Sequence, residues 1–145
     1  MDRYEEAVAI LERLERTPEA PAYLKQWLGY FLLFVDKEDD AIRYSEEYHK
    51  LFPDESDSIY NVASAYAQKY CRELQSVGKA QDVTSENRRL ALAKLKEALR
   101  GEPEYVEVVK SKWTQKGASF DCFLHDGEFR SLVGLPEESS TTNQS

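Results

Sequence analysis

The chain has 145 residues, a net charge of −8, and 41% hydrophobic against 32% charged residues, proportions that suit one folded domain and exclude wholesale disorder. An acidic balance argues against nucleic acid or an anionic membrane as partner, because neutralising phosphates needs a basic face. Six glycines and five prolines fall below the usual share of about 12%, which argues against a many-stranded sandwich or barrel.

The prolines at 18, 21, 53, 103 and 136 each lie between stretches of helical periodicity, as expected of a residue that costs about 3 kcal/mol inside a helix. In the first stretch Tyr4, Ala7, Val8, Leu11 and Leu14 recur at spacings of three and four, one apolar stripe on a helix. The second, 22–35, carries Tyr23, Trp27, Leu28, Phe31, Leu32 and Val35, with Tyr30, Leu33 and Phe34 on its other sides. An apolar surface nearly all round predicts burial against more than one neighbour. Asp36 is the expected N-cap of a third helix, whose stripe is Ala41, Ile42, Tyr44, Tyr48, Leu51 and Phe52. A fourth helix is predicted from Ser56 or Asp57 through Leu74, and a fifth from Thr84 or Ser85 to Gly101. Consecutive helices with short links pack as antiparallel neighbours. The fold class is all-α.

Ala41-Ile42 follows Leu28-Gly29 by twelve residues, and Pro53 follows Ala41 by twelve. This pattern resembles the tetratricopeptide repeat (TPR), a helix-turn-helix unit of about 34 residues. Trp27 does not align with that family's tryptophan, and Tyr48 stands where the family has a small alanine. A second copy resembles the repeat at Tyr60-Asn61-Val62-Ala63, Ala91-Leu92, Ala98 and Pro103, with Ala63 and Ala91 separated by 28 residues rather than twelve. Shared over two helices, the 16 extra residues predict a hairpin projecting roughly 12 Å at 1.5 Å per residue. The resemblance divides residues 1–135 into a half repeat at 3–17, a repeat at 22–55, a repeat with insertion at 56–103 and a closing segment at 104–135. That segment contains Phe120, Leu124, Phe129 and Leu132 and is expected to cap the last apolar face. The polar tail 136–145 is expected to be disordered.

Asp121-Cys122-x2-His125-Asp126 gathers nucleophile, base and acid types in six residues. A working Cys–His pair also needs an oxyanion site and a lowered thiol pKa, so Cys122, between aromatic neighbours, reads as a small buried thiol and the chain as a non-enzyme. A small regulator or enzyme using Cys122 and His125 is the third reading. No metal set is present, since four ligands are wanted and only two Cys and two His exist. No phosphate loop or cofactor motif appears either. Arg88-Arg89 reads as solvated helix face. Cys71 and Cys122 are too few and too distant in sequence to suggest a disulfide framework. With a charged N-terminus that does not resemble a leader, the expected setting is reducing and cytoplasmic.

In TPR proteins the first helix of each unit lines a concave peptide-binding surface. Carried over by register, the resemblance implies a lining of Tyr23, Gln26, Tyr30, Leu33 and Phe34, then Tyr60, Asn61, Ser64, Ala67 and Gln68. The alternative is that these aromatics are simply core. The expected function is a non-catalytic adaptor or scaffold for a neutral or basic protein or peptide. The second reading is a homo-oligomer built through the 70–90 hairpin or the N-terminal edge.

Overall fold

Apolar spacings of three and four, interrupted at prolines, leave the backbone little choice but helix. The computed structural model describes residues 3–138, and every regular element among them is helical. Five principal helices run α1 (Arg3–Glu15), α2 (Tyr23–Phe31), α3 (Glu38–Leu51), α4 (Asp57–Val77) and α5 (Glu86–Gly101). Two short ones follow, α6 (Val106–Ser111) and α7 (Gly127–Val133), with single 3-10 turns at Leu32–Val35, Pro103–Tyr105 and Asp121–Phe123. The expectation of a disordered tail falls mainly on 139–145, outside the described residues.

Each of the first four helices packs on the next, and α2 also reaches α4. Helix α4 holds the molecule together because it is apolar on two sides. Val62 and Ala65 join Val8, Leu11, Leu24, Leu28, Leu32 and Ile42 in one core. Ala63, Ala67, Tyr70 and Leu74 join Leu95, Ala98, Val109, Phe120, Phe123 and Phe129 in the other. The closing segment therefore supplies much of the second core.

Close approach of α2 and α3 depends on Gly29. A Cβ built there would lie 2.1 Å from Ser45 Oγ, and that hydroxyl is itself buried without a hydrogen-bond partner. Gly29→Ala is expected to destabilise the fold by about 1–3 kcal/mol through overpacking. Gly29→Ala combined with Ser45→Ala should recover most of that loss. Urea unfolding of the single and double variants measures both.

Several expectations change. The 22–35 segment packs on more than one neighbour, as expected, but not all of its apolar surface is covered: Leu24, Leu28, Leu32 and Leu33 are buried, whereas Tyr23, Trp27, Tyr30 and Phe34 are about half exposed. Asp36 does not cap α3. It sits at φ 60°, the left-handed conformation that ends the preceding 3-10 turn, and α3 starts at Glu38 with no side-chain cap. Ser85 does cap α5, accepting from the Arg88 N–H at 3.3 Å. The inserted residues do not form a free-standing hairpin. They lengthen α4 alone and then fold as the loop 78–85, which the Asp82 N–H ties back to the Tyr70 hydroxyl at 2.8 Å. Tyr70 is buried against Phe123, so the closing segment covers one face of the lengthened part, and its exposed large hydrophobics are Val77 and Val83.

Arg88 is the largest departure. Far from being solvated, it is 5% exposed and paired with Asp126, itself 3% exposed. Its Nε donates to Asp126 Oδ2 at 2.8 Å and its Nη2 to Oδ1 at 3.1 Å. The same Oδ1 accepts from the Glu128 and Phe129 N–H groups at the start of α7.

Candidate functional site

The half-exposed face of α2 borders a cleft whose other walls are α4 and the closing segment. One end is a cavity of about 390 Å³ lined by Gln26, Trp27, Tyr30, Phe31, Asp57, Tyr60, Asn61, Tyr105 and Trp113. The other, of about 560 Å³, includes Leu33, Phe34, Asp36, Ser64, Gln68, Arg72, Ser119 and Asp121. Tyr30, Asn61 and Trp113 line both, so the two are halves of one cleft.

Helical register explains which candidate residues meet there. Gln26, Tyr30, Leu33 and Phe34 follow one side of α2 and its 3-10 extension, and Asn61, Ser64 and Gln68 follow one side of α4. Tyr23 lies outside both cavities, its ring 5.5 Å from Trp27, and Ala67 is buried in the α4–α5 core. Tyr60 lines the cavity but is only 4% exposed, and its hydroxyl donates to the Glu102 carbonyl at 3.2 Å. It is chiefly a core residue with one edge in the cleft. Gln68 is also committed: oriented by its partners, its amide donates to Glu38 and to the Leu33 carbonyl and accepts from Ser119. Leu33 is buried at 7%. By contrast Asn61 is nine-tenths buried and has no hydrogen-bond partner among the described residues, although it lines both cavities.

Trp27, Phe31, Asp57, Tyr105 and Trp113 complete the lining and were not among the residues expected from register. Trp27 was legible as an aromatic beside Leu28-Gly29, out of register with the repeat's tryptophan. Tyr105 and Trp113 read only as cap residues, because nothing in their local spacing relates them to α2.

The electrostatics of this end are one-sided. Burial first, then Glu102, Tyr105, Glu104 and Asp57, holds the Tyr60 phenol well above its ordinary range. Burial and the nearby Asp57 and Glu104 likewise raise the Glu102 carboxyl. Both shifts reflect burial first and neighbouring negative charge second.

The Cys–His grouping does not assemble. Cys122 is joined to Cys71 in a disulfide, with Cα atoms 5.7 Å apart, which corrects the expectation of a buried free thiol. His125 is exposed and meets Glu138, while Asp126 is occupied by Arg88 and the α7 cap. Cys71, Asp121 and Cys122 bring three ligand-type atoms within 4.8 Å, but a thiolate is the metal ligand and the disulfide leaves none. The Asp121 carboxylate instead accepts from the Gly117 N–H at 2.9 Å.

No family model, curated protein or solved structure matches the chain. Among the described residues no helix is long and apolar enough to cross a membrane.

Proposed function

We propose that the chain is a TPR-type interaction module that holds a segment of a partner protein in the cleft between α2, α4 and the closing segment, without covalent chemistry. The observation that carries this reading is Trp27 and Tyr30, two large aromatics about half exposed on the rim of a formed cavity. Such rings give large contact area at low entropic cost and are typical binding hot spots. Supporting it, Asn61 offers an unpaired amide to a bound chain. The repeat resemblance and the division into half repeat, two repeats and cap belong to the same proposal. So does the preference for a neutral or basic partner over nucleic acid, which follows from the charge of −8.

Because Tyr60 is core, the discriminating variant is Trp27→Ala with Tyr30→Ala. A partner segment recovered by affinity enrichment is expected to bind this variant about 30-fold more weakly or worse, equivalent to about 2 kcal/mol. Isothermal titration with the recovered segment measures it, with circular dichroism to verify the fold. Unchanged affinity in a folded variant rejects the cleft.

A second reading, self-association, is favoured by exposed Ile10 and Leu14 on α1 and by Val77 and Val83 at the end of the long hairpin. A monomeric mass at all concentrations in light scattering rejects it. A cytoplasmic setting loses its main support from the Cys71–Cys122 bond, since such bonds persist chiefly in oxidising compartments.

A further inference from the structure

We infer that the smaller cavity is a cation cage whose occupant is a lysine or arginine side chain on an extended segment of a partner protein. This rests on the cleft proposed above and names the group that anchors the segment in it. Three rings from different elements pack against one another along one wall of the cavity, none of them parallel to another. Tyr60 and Tyr105 lie 4.8 Å apart at 42°, Tyr60 and Trp113 5.5 Å apart at 89°, and Tyr105 and Trp113 5.8 Å apart at 73°. Trp27 and Tyr30 add half-exposed rings from α2. An aromatic face carries negative potential, so a cavity walled by several rings attracts a cation more than a neutral group of equal size.

Charge points the same way. The cavity lining contains a carboxylate, Asp57, and no Lys, Arg or His. Asp57 accepts from the Gln26 amide at 3.0 Å. Neither it nor Glu102 nor Glu104 has an ion-pair partner among the described residues. The Asn61 side-chain amide, with no hydrogen-bond partner among the described residues, can accept from an ammonium or guanidinium N–H through its oxygen. A tethered cation suits the site better than a free one, because the space continues past Tyr30 and Asn61 into the larger cavity.

The test uses the full chain and its only two tryptophans, both of which line the cavity. Their indole N–H signals are followed by NMR during titration with blocked Gly-Gly-X-Gly-Gly peptides in which X is Lys, Arg or norleucine, and separately with tetramethylammonium chloride. The Lys or Arg peptide is expected to bind at least about fivefold more tightly than the norleucine peptide. That preference should fall towards unity in Asp57→Asn combined with Tyr30→Leu, which removes the charge and one ring while keeping apolar volume. Circular dichroism verifies that this variant folds. Equal binding of the norleucine peptide overturns the cage but leaves the cleft standing, whereas tighter binding of tetramethylammonium than of either cationic peptide overturns the side-chain occupant, since it shows a site for a free cation. No indole shift with any probe also overturns the cage. The cleft itself is judged separately, by the Trp27/Tyr30 variant against the recovered segment.

Discussion

Replacing Cys71 and Cys122 by serine is expected to lower the free energy of unfolding by about 4 kcal/mol, the loop-entropy value for a link that closes 51 residues. The bond joins the middle of α4 to the closing segment, so without it the unfolded chain regains the freedom of nearly the whole span between them. The folded state keeps the Phe120, Phe123 and Phe129 cluster against Tyr70 and Leu95, and the variant should still fold. Guanidinium denaturation of the oxidised protein, the reduced protein and the double serine variant gives the measurement. A loss below about 1 kcal/mol would mean that this link does not restrain the chain as the loop-entropy model requires. Because Cys71, Ser119 and Asp121 line the larger cavity, reduction should also loosen that half of the cleft.

Asp126→Ala is the other large expectation, at about 3–5 kcal/mol from stranding a buried guanidinium, with about 1 kcal/mol more from the lost helix cap. One carboxylate serves both tasks. It takes two hydrogen bonds from Arg88 and two from the first turn of α7. Glu128, the other partner of Arg88 at 3.0 Å, is 70% exposed and cannot replace it. Replacing both ends, with Arg88→Met and Asp126→Asn, removes the charges together and keeps a capping oxygen. That variant should lie far closer to the wild type than Asp126→Ala does. A double-mutant cycle by urea unfolding separates the coupling from the cap, and a single-variant loss under about 1.5 kcal/mol would show the pair to be dispensable.

The sequence was informative where structure is local. Prolines and apolar stripes mark all five principal helices, and Ser85 is recognisable as a cap because the hydrogen bond it makes lies three residues away. It was misleading where a residue's partner is distant. Arg88 looks solvated beside Arg89 because Asp126 is 38 residues further on. Cys71 and Cys122 look unrelated for the same reason. Asp36 looks like a cap by residue type, but the turn it must close puts it at positive φ, and its carboxylate meets Arg72 at 3.5 Å and caps no backbone N–H. The α2 aromatics illustrate a different limit. Periodicity reports that a face is apolar, and it does not distinguish a face packed into a core from one bordering a cavity.

The far wall of the cleft has a further consequence, for the order in which the molecule is made. Helices α1 to α5 contact their sequence neighbours, and contacts of that kind form early because little chain must be closed to reach them. Tyr105 and Trp113 meet Tyr60 across 45 and 53 positions. The surface that would recognise a partner is thus completed last, after the helices that frame it, and a nascent or partly folded chain has the frame without the grip.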